Sequence, residues 1–256
     1  MLTSRQNKEL RALRSRKGRA ESGRFLAEGV RVVEDLLSSP LTVHWAVCAS
    51  SLEDSERGRR LTAELEARGL VRGVLADRDF ASLAATDTPQ GVVAVAEIPE
   101  RDLGSLDLPD RSVLLVLDAV QDPGNFGTLA RSAEALGAAG VVALPGTVDP
   151  WNPKSVRAAA GSSFRIPVVQ APWEEVERFL RDQGIAIFGA AVEGRPVAPL
   201  RQGRAAVVVG NEGAGLTREV REAVDEIIGI PLRGRAESLN VAAAAAIILY
   251  ELTRQR

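Results

Sequence analysis

A chain of 256 residues with one cysteine, one histidine and 4% aromatic residues is short of several chemistries before any motif is read. A lone thiol forms no internal disulfide and suits a reducing cytoplasm. No Cys/His cluster has the spacing of a zinc site, so no metal is expected. The thiol, Cys48, lies in the apolar stretch VHWAVCAS, which is expected to bury it as an inert side chain. His44 shares that stretch and is expected at a surface or strand edge rather than as a general base. No apolar run reaches the roughly 18–20 residues that a membrane-spanning helix needs. The Ala-rich VAAAAAIILYELT near the C-terminus is too short and is interrupted. Met1 is followed by polar and basic residues without an apolar core segment, so no secretory signal is expected. Formal charge is −2, unlike the basic balance of a typical nucleic-acid binder.

What the sequence does carry is concentrated in three polar stretches of its C-terminal part. They are DAVQDPGNFGTLAR from Asp118, GNEGAG from Gly210 and IPLRGRAESLNV from Ile230. Each follows an apolar run (SVLLVL, AAVVV and DEII) of the kind that forms a buried parallel strand. Ligands of open α/β sheets collect at the carboxyl ends of such strands. Asn125, Arg131, Glu212, Ser238 and Asn240 are therefore expected to converge on one crevice. The glycines of the second stretch narrow the ligand. G-N-E-G-A-G-L-T has P-loop spacing, but a P-loop needs Lys before the Thr, and that position is Leu216. Glu212 would also put negative charge inside a phosphate cradle. The order G-x-x-G-x-G is not the dinucleotide fingerprint G-x-G-x-x-G either. Neither a nucleoside triphosphate nor a nicotinamide cofactor is expected.

Taken in order, N-x-G-x-x-x-R (Asn125, Gly127, Arg131), G-N-E-G-x-G (Gly210 to Gly215) and I-P-x-x-G-x-x-x-S-L-N-V (Ile230 to Val241) resemble three known motifs. They are those of the SpoU, or TrmH-type, RNA 2′-O-methyltransferases of the SPOUT superfamily. The resemblance runs from about Ser112 to the C-terminus and includes the intermediate segment NPKSVRAAAGSSFRIPV. Departures are small: Leu232 where Met is common, Ala242 for a frequent Ser, and Gly161-Ser162-Ser163 where Gly-Ala is usual. The resemblance implies an α/β fold, with a C-terminal parallel-sheet SPOUT domain carrying a deep trefoil knot behind a small α/β RNA-binding domain. It implies methyl transfer from S-adenosyl-L-methionine to a ribose 2′-hydroxyl. That reaction depends on positioning and the loss of one proton, without a metal or covalent intermediate.

In the family the residue matching Arg131 acts at the reacting hydroxyl. A guanidinium cannot readily accept a proton, so Arg131 is expected to grip a phosphate or hydroxyl and stabilise developing negative charge. Asn125, at the start of the same helix, can also be its N-cap. Glu212 is expected to accept from a ligand or to orient Asn125 or Arg131. Ser238 and Asn240 open the last helix and could equally cap it. The cofactor pocket is expected to consist largely of backbone groups, with Ile230, Leu232 and Leu239 forming an apolar adenine slot and Gly210 allowing close approach.

The first hundred residues form a separate α/β pattern. Helices are expected at about Gln6 to Arg14, from Gly29, at Ser55 to Arg68 and from Asp79, with strands at Val43 to Ala49, VRGVL and GVVAVAE. The stretch RKGRAESGRFLAEGVRVVEDLL is similar to the opening of the ribosomal-protein-like substrate-binding domain of many family members. The expected division is a substrate-binding domain 1–98, a linker 99–111 and a methyltransferase domain 112–256. Residues 1–31 hold nine Lys/Arg against three acids, a local excess of six suited to phosphate contacts. With few aromatics, RNA is expected to be read by shape and backbone rather than by base stacking. Ribosomal RNA is expected over transfer RNA, and a homodimer through the C-terminal domain. A non-catalytic RNA-binding protein on the same fold is the alternative.

Overall fold

Internal contacts divide the chain into two units, Met1–Glu100 with Trp151–Arg165, and Arg101–Pro150 with Ile166–Arg256. The structure is a computed structural model that describes residues 2–83, 89–199 and 203–254. The outermost ends of the expected domains, Met1 and Arg256, lie outside them.

The first unit begins with α1 (Ser4–Leu13) and α2 (Arg16–Ser22), then β1 (Arg24–Glu28), α3 (Val30–Leu37) and β2 (Val43–Ala49). There follow α4 (Glu56–Ala67), β3 (Val71–Leu75), α5 (Asp77–Leu83) and β4 (Val92–Glu97). The sheet order is β1-β4-β2-β3, with only β2 and β3 parallel. Strand alternation sends Val92, Ala94 and Ala96 of β4 into one core and Val93 and Val95 into another. The first core is closed by α3 and α4, and the second by Leu10 and Leu13 of α1 with Phe80 and Leu83 of α5. Cys48 is buried, and burial pushes its thiol up to about 11, as an inert side chain requires. His44 is not at an edge: β2 lies between β4 and β3, and the imidazole is half-buried beside Glu97.

Two elements of this unit are absent from the sequence reading, α2 and β1. They change the account of the basic N-terminus. Arg19 of α2 is 2% exposed and donates to the Leu13 carbonyl at 2.8 Å. Arg24 pairs with Glu9 at 2.6 Å. Neither is a free phosphate ligand, but Glu9 is taken up by Arg24 and Glu28 is itself 5% exposed, so fewer cations face solvent while the local excess of six is unchanged.

The second unit holds β5 (Val113–Leu117), α6 (Pro123–Ala135) and β6 (Gly140–Ala143). The chain then enters the first unit as α7 (Pro153–Ala159) and α8 (Ser162–Arg165). There Trp151 and Phe164 stack around Phe25, with ring centroids 4.7 and 5.8 Å away. Returning, it forms β7 (Val168–Gln170), α9 (Trp173–Asp182), β8 (Ala186–Pro196), β9 (Ala205–Val209), α10 (Arg218–Ala223), β10 (Glu226–Gly229) and α11 (Val241–Thr253). The six strands run β10-β8-β9-β5-β6-β7, all parallel. β5 and β9 are buried along their whole length, as their unbroken apolar sequences predict. The stretch before β5 does not run free: Leu106 is buried, with Leu103 and Leu108 against the same core as α9 and α10. Among the described residues no helix is long and apolar enough to cross a membrane.

Candidate active site

Because the strands are all parallel, the loops after β5, β9 and β10 leave the same edge of the sheet. The loop after β9 is tied down from both sides. Asp118, 3% exposed at the end of β5, accepts the Thr217 N–H at 2.6 Å. Asn211 donates from Nδ2 to the Ala119 carbonyl at 2.9 Å, and its Oδ1 accepts the N–H groups of Gly213 and Ala214 at 3.0 Å. The Asn211 and Gly215 backbones bridge each other. This closes the loop so tightly that a Cβ on Gly210 would lie 2.2 Å from the Gly215 carbonyl carbon. No side chain fits there. Leu216, where a P-loop has its lysine, is buried in the apolar core instead.

Three of the expected site residues form one hydrogen-bonded chain. Asn240 donates from Nδ2 to Asn125 Oδ1 at 2.9 Å, and Asn125 donates from Nδ2 to Glu212 Oε1 at 2.9 Å. The direction of this chain is forced. A carboxylate only accepts, so the Asn125 NH2 must face Glu212 and its oxygen must face Asn240. The Asn240 oxygen is itself taken by the Ala242 and Ala243 N–H groups at 2.9 and 3.4 Å, as N-cap of α11. Its NH2 is therefore the group left to reach Asn125. Glu212 also accepts from the N–H groups of Gln121 and Asp122 and from Asn211 Nδ2. Burial pushes the Glu212 carboxyl up, but the Asn125 hydrogen bond and the backbone N–H groups outweigh it and hold the group below its usual range. It is an anion committed to orienting Asn125, not a ready proton acceptor.

Asn125 does not cap its helix. Asp122 does, accepting the Asn125 N–H at 2.8 Å, with Pro123 following in the first turn. Capping by Asp122 frees the Asn125 side chain for the chain of hydrogen bonds. Ser238 is not a cap either; it is exposed in the loop before α11. Arg131 stands apart. Six residues beyond Asn125, it is turned roughly 120° around the helix axis. It lies exposed, on the same solvent face as Gly124 and Thr128. Among the described residues no hydrogen bond or ion pair links it to Asn125, Glu212 or Asn240.

Beside this chain is a cavity of about 370 Å³, within the usual range for small-molecule sites. Gly210, Ile230, Leu232 and Leu239 all line it, as do Glu212 and Ser238. The sequence reading missed the wall contributed by β8, from Ala190 to Glu193, and Arg221 of α10. It also missed the scaffolding roles of Asp118 and Asn211. A Cβ on Gly194 would meet the Ile228 carbonyl carbon at 2.3 Å, so the end of β8 closes directly onto β10.

Known proteins resemble this chain over most of its length. Residues 112–250 match the model of the SpoU rRNA Methylase family, and residues 5–94 match that of the MRM3-like substrate binding domain. The 23S rRNA (guanosine(2553)-2′-O)-methyltransferase RlmP of Bacillus subtilis is 39% identical over 96% of this chain and 94% of its own length. The 23S rRNA (uridine(2479)-2′-O)-methyltransferase of Streptomyces viridochromogenes is 32% identical over 95% and 87%. Among solved structures, the SpoU methyltransferase AviRb of Streptomyces viridochromogenes in complex with AdoMet superposes with a TM-score of 0.85 at 29% identity. It covers 98% of this chain and 97% of its own. The AdoMet-bound rRNA methyltransferase of Sinorhizobium meliloti gives 0.84 at 32% identity, covering 98% and 95%. The chain belongs to the SpoU rRNA methylase family.

Proposed function

We propose that this protein methylates a ribose 2′-hydroxyl in ribosomal RNA, using S-adenosyl-L-methionine held in the cavity beside the Asn240–Asn125–Glu212 chain. The observation that carries the reading is that chain itself, a polar array of fixed direction at the rim of a cavity walled by Gly210, Ile230, Leu232 and Leu239. The cavity fits the cofactor. It offers apolar side chains for a purine and a loop whose backbone approach depends on glycine. When bound, the cofactor supplies an electrophilic methyl group on a sulfonium. The protein's part is to present the ribose oxygen in line and to stabilise its developing charge.

In this reading Glu212 fixes Asn125, and Asn125 and Asn240 together hold the polar face turned toward the reacting hydroxyl. Ser238, on the cavity wall, supplies a further hydroxyl to the same region. Among the described residues Arg131 has no hydrogen-bond or ion-pair partner, and it offers its guanidinium fork to an RNA phosphate or to the hydroxyl as it loses its proton. The functional division is a substrate-binding domain 1–98, a linker 99–111 and a methyltransferase domain 112–256, and the family matches at 5–94 and 112–250 support it. The relatives named for 23S rRNA support ribosomal over transfer RNA, and the cytoplasm is the compartment this reading assigns to the protein. A homodimer is supported by α11, where Ile247 and Tyr250 stand 41% and 54% exposed one turn apart. Calorimetric titration tests the core of the proposal: S-adenosyl-L-methionine should bind and ATP should not. Tight ATP binding without adenosylmethionine binding would overturn it.

A further inference from the structure

Two charged side chains that no sequence motif singles out line the cofactor cavity: Glu193 near the end of β8 and Arg221 on α10. They are joined by an ion pair between Arg221 Nη2 and Glu193 Oε1. The side chains are 61% and 46% exposed, and a pair so open to water contributes little to folding. Its place in the cavity wall leaves both charged groups open to a ligand. Among the described lining residues only Glu193, Glu212 and Arg221 carry charge, and Glu212 is turned toward Asn125 and the loop N–H groups. The hydrogen bond from Arg221 holds the Glu193 carboxyl below its usual range, so it is a full anion at neutral pH.

The cofactor assigned to this cavity carries three kinds of group. Its purine and ribose are neutral, its sulfonium is a lone cation, and its amino-acid end is a zwitterion with an ammonium and a carboxylate side by side. A fixed carboxylate next to a fixed guanidinium is the charge complement of that zwitterion, and the guanidinium fork matches a carboxylate in shape. We infer that Glu193 and Arg221 bind the amino-acid end of the cofactor, Glu193 accepting from its ammonium and Arg221 donating to its carboxylate. This rests on the cofactor assignment proposed above.

Two ligands separate this from a structural role. S-adenosyl-L-homocysteine keeps the amino-acid end, and 5′-methylthioadenosine keeps the purine, ribose and thioether sulfur but not the amino-acid end. In calorimetric titrations of the full chain, Glu193→Gln and Arg221→Gln should each weaken S-adenosyl-L-homocysteine by about ten-fold or more, the usual worth of a charge-assisted hydrogen bond. Affinity for 5′-methylthioadenosine should stay within about two-fold of the original. The exchanged double variant, Glu193→Arg with Arg221→Glu, keeps an ion pair but reverses its direction, and should not regain affinity for S-adenosyl-L-homocysteine. The inference is overturned if the exchanged variant recovers that affinity, if both ligands weaken equally, or if neither weakens. A wild-type protein that binds neither ligand would instead remove the cofactor assignment itself, a result visible before any variant is compared.

Discussion

Changing Asn125 to Asp replaces one amide by a carboxylate of nearly the same shape, facing Glu212 where a 2.9 Å hydrogen bond now runs. The bond from Asn240 to position 125 survives, because a carboxylate still accepts it. The loss is confined to the Glu212 side, where two negative charges now face each other. At about 4 Å their repulsion is about 1 kcal/mol in water and about 4 kcal/mol near a protein surface. Glu212 is exposed, so the destabilisation should fall between these limits, at roughly 1–4 kcal/mol near neutral pH. The sign of the pH dependence is the sharper test. In the wild type the Glu212 carboxyl is held low, so the unfolded chain binds its proton more readily. That interaction stabilises above the ordinary carboxylate range and is lost as pH falls through the folded value. In Asn125→Asp one carboxyl of the facing pair is pushed above its ordinary range, and the folded chain binds that proton more readily. Stability then declines as pH rises through that window. In urea unfolding across a pH series, the deficit of Asn125→Asp should be greatest near about pH 7 and shrink toward about pH 4. Asn125→Ala, which removes both bonds without adding charge, loses only the lowering of Glu212 by Asn125, so its deficit should shrink toward acid in the same direction but less steeply. An Asn125→Asp deficit that is flat with pH, or greatest in acid, would refute the contact with Glu212.

Other outcomes follow from the same geometry. Arg131→Ala should lower kcat by roughly 10²–10³ while leaving S-adenosyl-L-homocysteine affinity within a few-fold, and Arg131→Lys should restore little of the turnover; loss of cofactor affinity would show that the residue serves the cofactor cavity instead. Gly210→Ala places a Cβ 2.2 Å from the Gly215 backbone, so calorimetry should show cofactor affinity lost, and unchanged affinity would contradict the closed loop. Deleting residues 1–100 removes the side chains that cover Trp151, Val156 and Phe164, so the remainder should bind hydrophobic dyes and self-associate; it should also bind RNA more weakly and with a shallower salt dependence.

Much of the second unit was legible in the sequence because its signals agree with one another. The β9 run AAVVV ends at the glycine of a rigid loop, and the last helix spans VAAAAAIILYELT behind the Asn240 cap. Asn125 and Asn240, 115 positions apart in the chain, meet because parallel strands deliver both to one sheet edge. The role of Asn125 as a cap was misread although Asp122-Pro123 just before it is the stronger helix start. β1 was missed because RFLAE is short and begins and ends on charge, so its burial comes from pairing with β4 rather than from a local pattern. Glu193 gave no signal. It sits late in an 11-residue strand of mixed polarity, and only the close approach of Gly194 to β10 brings it to the cavity. The packing of Trp151 and Phe164 around Phe25 was equally hidden, since apolar residues in a helical segment do not state which core they enter.

The central claim is that a methyl group passes from S-adenosyl-L-methionine to a ribose oxygen of ribosomal RNA. Its most direct test is mass spectrometry of nucleosides released from ribosomal RNA after incubation with the protein and methyl-labelled S-adenosyl-L-methionine, beside an Arg131→Ala control. The account predicts label in a single 2′-O-methylnucleoside, strongly reduced in the control. Label on a base atom, or no label from a protein that binds the cofactor, would contradict it.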